Sequence, residues 1–283
     1  MKTSTKVNLK SKCPKALWNA AKKVYRGISK AGYKAGMKIS PDDKNVFCSC
    51  CGLRFKKFKQ GDHYERPDFY DLSLFSGQRQ DIACPYCGSL PRHRILAAWC
   101  NENIDLIRSK DILYFAPEKS MTIWMDSNGI KFKTADLYDP EADLNIDIQK
   151  TGLESESFDV IICNHVLEHV SDVMTALNEM KRILRSGGLF ICSFPVSPDV
   201  ELVLEDPSAV TGQDRRRVYG QSDHVRLFGM KADTFMKDAG FDVTVISGDD
   251  YPFEILPVTG PCKYDINRLF LCKKPLRTAI EVK

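Results

Sequence analysis

The chain has 283 residues, of which 43% are hydrophobic and 28% are charged, as in an ordinary globular protein. No apolar run approaches the ~18 residues of a membrane span, and the N-terminus lacks the apolar core of a secretory signal. We therefore expect a cytoplasmic protein. Its eleven cysteines then face a reducing environment, where close pairs indicate metal binding rather than disulfides.

The net charge of +4 is distributed unevenly. Residues 1–40 contain eleven lysines and arginines and no acidic residue, so this basic arm carries +11 and the rest of the chain −7. Apolar residues recur every three to four positions from Leu17 to Ile28, which predicts an amphipathic helix. Two interpretations stay open: a tether to an anionic membrane surface, on the inner face of the membrane, or a solvated tail that packs on the body.

Residues 41–100 are rich in cysteine and predict a small zinc-binding module. Two CxxC pairs, each followed by glycine, supply the expected ligands: Cys48, Cys51, Cys84 and Cys87. Four thiolates held by two such turns form a closed, tetrahedral structural zinc site. Cys50 is an alternative ligand to Cys51. The long aromatic-rich insert between the pairs predicts a loop over a cleft, and 92–99 has the pattern of a helix.

From residue 101 to residue 283, strand and helix patterns alternate, as in a parallel sheet wrapped by helices. We predict strands at 112–116, 131–135, 143–148, 159–163, 189–193, 242–246 and 268–272. Helices are predicted at 173–184, ended by Ser186-Gly187-Gly188, and at 232–239, ended by Gly240. The expected fold class is α/β, with a doubly wound, seven-stranded sheet.

Polar side chains follow the first four predicted strands of this sheet. Because a doubly wound sheet binds its ligand at the carboxyl ends of its strands, these residues mark a candidate site. Asp136 can accept hydrogen bonds from ribose hydroxyls, and Asp147 can accept one from the exocyclic amine of an adenine. The first strand runs into Phe115–Ser120, and the fourth into Asn164 and His165.

The segment SFDVIICNHVLEHV, from Ser157 to Val170, resembles a stretch of class I methyltransferases of the type-11 family. Their next motif, E..RvLkpGG.l, is matched from Glu179 to Leu189, and the resemblance covers about 111–274. CPYCGS, RHR and FAPE also resemble a bacterial subgroup among polysaccharide-type methyltransferases. The resemblance implies a Rossmann-like fold that binds S-adenosyl-L-methionine.

The resemblance also implies a role for each strand-end residue. Ala116 and Glu118 would line the methionine end of the cofactor, Asp136 would hold the ribose, Asp147 would hold the adenine, and Asn164 and His165 would lie beside the sulfonium. Class I enzymes usually have a glycine-rich first loop, whereas this chain has Ala-Pro-Glu-Lys. Missing glycines restrict the approach of the backbone to a cofactor, so an inactive scaffold stays an alternative.

Methyl transfer to a hydroxyl requires a base, and histidine has a suitable pKa near neutrality. Among His165, His169 and His224, we predict His224 as the base, oriented by Asp223, and His165 as a wall of the cofactor site. Two basic runs are candidates for the cleft and for an anionic acceptor group: Arg92-His93-Arg94 and Arg215-Arg216-Arg217. Solvated surface residues are the alternative for the second run.

The leading hypothesis is therefore a methyltransferase that modifies a small-molecule or glycan acceptor, such as a phosphate- or lipid-bearing saccharide, at oxygen. An RNA methyltransferase is one alternative, although the acidic body disfavours nucleic acid as a partner. A zinc-dependent interaction protein on an inactive Rossmann-type scaffold is the other.

Overall fold

The computed structural model describes residues 46–59, 82–252, 255–256 and 267–276. All of these lie in one structural unit, Lys44–Lys283. The predicted basic arm and the predicted loop between the two cysteine pairs fall outside the described residues. None of the described helices is long and apolar enough to cross a membrane.

The cysteine-rich segment begins with a small antiparallel hairpin of β1 (Val46–Cys48) and β2 (Leu53–Phe55). The second CxxC turn leads into helix α1 (Pro91–Glu102), which begins with proline. Proline is tolerated there because the first N–H of a helix has no hydrogen-bond acceptor within the helix. This helix packs on α2 (Lys119–Ser127) and on the last strand of the central sheet. The module and the sheet are therefore in direct contact through α1.

Ten further strands follow the hairpin in chain order: β3 (Ile112–Phe115), β4 (Lys133–Asp136), β5 (Leu144–Asn145), β6 (Phe158–Asn164), β7 (Leu184–Ser193), β8 (Val196–Ser197), β9 (Val203–Leu204), β10 (Leu227–Gly229), β11 (Asp242–Ser247) and β12 (Arg268–Lys273). The other helices are α3 (Val173–Ile183), α4 (Gly212–Tyr219) and α5 (Asp233–Asp238). Single 3-10 turns occupy Ile104–Leu106 and Gly248–Asp250.

Seven of these strands form the central sheet, in the order β11-β12-β7-β6-β3-β4-β5. Neighbours are parallel except at β12, which is antiparallel to both β7 and β11. In chain order, β4 and β5 are added on one side of β3, and β6 and β7 are then added on its other side. The sheet is therefore doubly wound. The predicted seven-stranded, Rossmann-like sheet is confirmed.

The two strands at the centre of the sheet are apolar on both faces, as parallel strands covered by helices require. All four residues of β3 are buried, and so are six of the seven residues of β6, all except Asp159. Helix α3 packs its apolar stripe on β7, and α5 packs on β11 and α3. Asp172 caps α3 by accepting a hydrogen bond from the Thr175 amide.

Helix α3 ends earlier than the glycines predicted. It stops at Ile183, because Leu184 already pairs with Phe158 at the start of β7. Gly187 and Gly188 instead lie within the first half of β7, where the pairing with β6 is irregular. A Cβ on Gly188 would come within 2.9 Å of the Asp159 carbonyl oxygen, so the glycine allows close strand approach rather than ending a helix.

The segment between β7 and β11 forms a second sheet that the sequence did not predict. Its three strands lie in the order β8-β10-β9, and α4 precedes β10. Phe194, just after β7, stacks on Phe270 of β12 with ring centres 4.6 Å apart and contacts Phe228 of β10 at 4.1 Å. These aromatic contacts fix β10, and therefore the residues that precede it, against the central sheet.

Candidate active site

The register of the parallel strands brings the predicted cofactor residues to one edge of the sheet. Phe115 lies opposite both Ala135 and Cys163, so the residues after these positions leave the sheet side by side. Asp136 lies opposite Asn145, and Asn164 lies opposite Ser193. The carboxyl ends of β3, β4, β5 and β6 therefore face the same crevice, as expected for a ligand site in this fold.

Two residues at this edge adopt left-handed backbone conformations that favour glycine. Ala116 has a φ of 45° and His165 has a φ of 53°. The Ala116 amide donates to the Ala135 carbonyl oxygen at 2.8 Å, and the His165 amide donates to the Ser193 carbonyl oxygen at 2.7 Å. Strained conformations of this kind cluster at functional sites. Ala116 thus makes the turn that a glycine-rich loop would usually provide.

The Glu118 carboxylate is contacted by side chains of α1, the helix that follows the cysteine module. Arg92 Nη2 donates to its Oε1 at 2.7 Å, and His93 Nε2 lies 2.5 Å from the same oxygen. The Leu90 amide donates to His93 Nδ1 at 2.9 Å, so Nδ1 is an acceptor and Nε2 is the ring nitrogen that faces Glu118 at close range. The predicted RHR run therefore divides: Arg92 and His93 reach the site, whereas Arg94 does not.

Glu118 is ionised despite its burial. Burial raises the pKa of its carboxyl, but its electrostatic interactions with the neighbouring His93 and Arg92 outweigh this effect and lower the pKa to about 2. Among the described residues, its second oxygen, Oε2, has no hydrogen-bond partner although it is buried. A buried carboxylate oxygen of this kind is an acceptor that is ready for a ligand donor.

The other predicted cofactor residues occupy turns at the same edge. Asp136 Oδ1 accepts the amides of Tyr138 and Asp139, and Asp147 Oδ1 accepts the amide of Gln149. Asn164 is 2% exposed and accepts a hydrogen bond from Ser193 Oγ at 2.9 Å. Its Nδ2 makes no hydrogen bond of good geometry in the described part of the chain, although the side chain interacts with the Tyr114 hydroxyl. Asn164 therefore offers a buried donor at the same edge of the sheet as Glu118.

A second group of polar side chains surrounds Glu168. This residue is not among the site residues predicted from the sequence. Its Oε1 lies 3.3 Å from His165 Nδ1 and 4.0 Å from His169 Nε2, and the side chain is 1% exposed. The rings of His169 and His224 meet edge to face with centres 4.8 Å apart. The structure thus brings together all three candidate histidines, around a carboxylate inside the LEH motif.

Asp223 lies beside His169 in this group. Its backbone oxygen is 3.1 Å and its Oδ2 is 3.6 Å from His169 Nδ1. His224 is 3% exposed, and its Nδ1 has no hydrogen-bond partner among the residues described. The contacts of Asp223 are therefore with the neighbouring histidine, while the charge that faces His224 most strongly is that of Glu168.

Burial and charge set opposite protonation states in this group. Burial raises the pKa of Glu168, but its electrostatic interactions with the neighbouring His165, His224 and His169 lower it below its usual value. Burial lowers the pKa of His224, and the attraction of Glu168 offsets this only in part. At neutral pH, Glu168 is therefore a carboxylate and His224 a neutral imidazole.

Arg226 holds the His224 segment against the LEH turn. Its Nη1 donates to the carbonyl oxygens of Leu167 and Val170, and its Nη2 donates to that of Ser171 at 3.1 Å. The Val225 amide donates to the Glu168 carbonyl oxygen at 3.0 Å. Sequence reasoning missed this buried arginine, because its backbone partners lie more than 50 residues away and leave no local pattern.

The four predicted metal ligands form a buried cluster: Cys48, Cys51, Cys84 and Cys87. The Sγ atoms are 3.6 Å apart for Cys48 and Cys87 and 3.8 Å apart for Cys51 and Cys84. Zinc–sulfur bonds of about 2.3 Å in a tetrahedron place sulfurs roughly 3.8 Å apart, so the cluster fits this geometry.

Arg94 locks this module to the rest of the fold. It is fully buried, and its Nη1 donates to the carbonyl oxygens of Ile82 and Ser89, while its Nε donates to that of Ile255. Its guanidinium also lies over the Phe58 ring, 3.9 Å from the centre. Arg94 is therefore a structural residue beneath the cysteine cluster, in contrast to its neighbours Arg92 and His93.

Comparison with known proteins supports a methyltransferase assignment for the central part of the sheet. Residues 113–192 match the family model described as a methyltransferase domain. This match begins in β3, ends in β7 and includes Glu118, Asp136, Asn164 and Glu168. The family model thus covers the strands whose ends form the crevice.

Individual relatives match stretches of 64 to 100 residues. A ubiquinone biosynthesis O-methyltransferase from Cereibacter sphaeroides is 39% identical over 64 residues, 21% of this chain and 26% of that protein. A reducing polyketide synthase, Preu2, from Preussia isomera is 31% identical over 100 residues, 35% of this chain and 4% of that protein. The chain therefore spans at most about a quarter of the length of these relatives.

One solved structure that part of the chain resembles is the 1,6-didemethyltoxoflavin-N1-methyltransferase from Burkholderia thailandensis, with bound 1,6-didemethyltoxoflavin and S-adenosylhomocysteine. It is 14% identical, with a TM-score of 0.45, over 65% of this chain and 78% of that one. Over residues 113–192, which include the strand ends at the crevice, the chain is similar to methyltransferases.

Proposed function

We propose that the protein transfers a methyl group from S-adenosyl-L-methionine to an oxygen of a small-molecule or glycan acceptor. One observation carries the proposal: at the carboxyl edge of the sheet, an ionised acceptor on Glu118 and a donor on Asn164 are both buried and make no hydrogen bond of good geometry among the residues described. Buried polar groups of this kind cost free energy unless a ligand satisfies them. An amino-acid-bearing nucleoside has both of the complementary groups.

In this proposal, Glu118 accepts a hydrogen bond from the ammonium group of the cofactor, and the left-handed turn at Ala116 lets the backbone pass close to its methionine end. Asp136 holds the ribose and Asp147 the adenine. Each uses Oδ1 to cap its own turn, which positions the carboxylate in advance. Asn164 and His165 lie beside the sulfonium. The charge of Arg92, shared with Glu118, would attract the cofactor's carboxylate.

The cofactor supplies a methyl group that its positive sulfonium has already activated for in-line displacement. The protein must then hold the acceptor oxygen about 3–3.5 Å from the methyl carbon and help to remove its proton. His224 is neutral and buried, and its Nδ1 has no partner in the described part of the chain, so it can take up a proton. Glu168, rather than the predicted Asp223, is the carboxylate that would stabilise the resulting imidazolium.

The cysteine cluster would hold a structural zinc ion. Because all four ligands are protein thiolates, no coordination position is left for a substrate. Its role would be indirect: the Cys84–Cys87 turn leads directly into α1, whose first turn carries Arg92 and His93 to Glu118. Folding of the module would therefore set the geometry of the cofactor site.

The acceptor class rests on charge and on the resemblance of the RHR and FAPE motifs to enzymes of polysaccharide-type pathways. A phosphate- or lipid-bearing saccharide would suit the arginines of α4 and the basic arm at 1–40, which would hold the enzyme near the anionic inner face of the membrane. The body, at −7, would repel a nucleic acid.

The test is to incubate the full-length protein with S-adenosylmethionine labelled in its methyl group in two separate reactions. One reaction contains a cell-envelope extract, and the other contains an RNA extract. Label in a saccharide fraction, removed by His224→Ala, is the expected result. Label in RNA would transfer the proposal to the nucleic-acid class, and label in neither fraction, together with no cofactor binding, would refute enzymatic activity.

A further inference from the structure

The group around Glu168 contains one carboxylate and two imidazoles, which is more than a proton-transfer site requires. Ligand atoms of Glu168, His169 and His224 all lie within 4.8 Å of one another. Two imidazoles and one carboxylate converge from two distant parts of the chain, the LEH turn after β6 and the loop before β10. Arg226 and the Val225 amide hold these two parts together through backbone atoms, so the convergence is built into the fold.

Three of the inward-facing atoms of this group have no hydrogen-bond partner in the described part of the chain: Glu168 Oε1, Glu168 Oε2 and His224 Nδ1. Glu168 is 1% exposed and His224 is 3% exposed, so bulk water does not solvate these atoms. The His165 ring, 3.3 Å from Oε1, lies at ion-pair distance without hydrogen-bond geometry. A buried carboxylate without donors is costly unless a cation neutralises it.

We infer that Glu168, His169 and His224 bind a divalent transition-metal cation. Two histidine nitrogens and one carboxylate suit Zn²⁺, Fe²⁺, Co²⁺ or Mn²⁺, whereas Mg²⁺ and Ca²⁺ prefer oxygen ligands alone. Metal–ligand bonds of about 2.1 Å place donor atoms roughly 3–3.5 Å apart. The ligand atoms, which lie within 4.8 Å of one another, therefore need to approach by about an ångström when the cation binds.

This site differs in kind from the cysteine cluster. Three protein ligands leave at least one coordination position open, as in catalytic metal sites, whereas four thiolates close the structural one. His169 is the partly exposed member, so a substrate can reach the group from the side of this residue. Asp223, whose carboxylate lies 3.6 Å from His169 Nδ1, orients this ligand as the outer partners of metal-bound histidines do.

The role of the cation rests on the proposed function. A hydroxyl oxygen bound at the open position has a lowered pKa and loses its proton to water, and the cation holds the oxygen in place. The oxygen–carbon bond then forms as the sulfur–carbon bond breaks, which leaves a neutral thioether. Acceptors with two adjacent oxygens, such as a vicinal diol, would bind best because they can chelate. His224 would then act as a ligand instead of a base.

The test is a titration of full-length, zinc-loaded protein with Co²⁺, followed by visible absorption and by metal analysis after gel filtration. We expect one zinc per chain and one added Co²⁺, with ligand-field absorption but without thiolate-to-cobalt charge transfer. Glu168→Gln and His224→Ala should weaken Co²⁺ binding more than about 100-fold, beyond the loss that outer-shell variants cause. Glu201→Gln, an exposed carboxylate paired with Lys231, is the matched control and should bind as wild type.

Two outcomes would overturn the inference: wild-type protein that binds no cobalt outside the cysteine cluster, or equal cobalt affinity in Glu168→Gln and Glu201→Gln. Circular dichroism and S-adenosylhomocysteine binding, both expected to be unchanged in Glu168→Gln, separate loss of the site from loss of the fold. A different result would refute the proposed function. If the protein binds cobalt at these residues but neither binds cofactor nor transfers methyl groups, the metal site is supported and the methyltransferase activity is refuted.

Discussion

Glu118→Gln is expected to weaken both the fold and the cofactor site, because its carboxylate is ionised in a buried position. Lowering its pKa from 4.5 to about 2 corresponds to about 3 kcal/mol of folding free energy at pH 7. The arrangement stabilises the fold fully above pH 4.5, and the contribution is lost as the pH falls toward 2. The difference between wild type and variant should shrink to about 1.4 kcal/mol at pH 3. Urea denaturation across this range measures it.

The same variant should bind S-adenosylhomocysteine about 10- to 100-fold more weakly, since a hydrogen bond to a charged group contributes about 1.5–3 kcal/mol. Glu179→Gln is the matched control. Arg182 and Thr151 lower the pKa of Glu179 to about 2 as well, but this residue lies on α3 and holds structural groups. Both variants should lose stability, and Glu118→Gln alone should lose cofactor affinity. Equal cofactor affinity in the two proteins would refute the assignment of Glu118.

Three further predictions concern other parts of the site. His224→Ala should lower turnover about 10²–10⁴-fold and leave cofactor affinity unchanged; wild-type turnover in steady-state assays would remove His224 from the reaction. Cys84→Ser should lose the single structural zinc and unfold the module, as metal analysis and circular dichroism would report, whereas a wild type that folds stably without zinc would contradict the site. Ala116→Val should destabilise the protein by about 1–2 kcal/mol, because a β-branched residue fits the left-handed conformation poorly, and Ala116→Gly should not; equal melting temperatures would argue against strain at this turn.

The sequence predicted the sheet well, because its buried strands are continuous apolar runs. Such runs can be recognised from the local sequence, without knowledge of distant contacts. The predicted strand at 159–163 lies within β6, and that at 189–193 is the second half of β7. The end of α3 was predicted one residue late. Gly187 and Gly188 have the composition of a helix stop, but strand pairing of Leu184 decides where the helix ends.

The site could be predicted only where its residues follow a strand directly. Asp136, Asn164 and His165 lie at the carboxyl edge as expected, since strand ends in a parallel sheet coincide. The contact of Arg92 with Glu118 joins residues 26 positions apart, and that of His169 with Asp223 joins residues 54 apart. Such contacts depend on how helices and insertions pack, which no local pattern encodes.

The central claim is that the strand ends bind an adenosyl cofactor without a glycine-rich loop. Calorimetric titration of S-adenosylhomocysteine into the full-length protein tests it most directly. One site per chain with a micromolar Kd, weakened at least tenfold by Asp136→Asn, is the expected result. Absence of binding heat, or binding that is indifferent to both Glu118→Gln and Asp136→Asn, would contradict it.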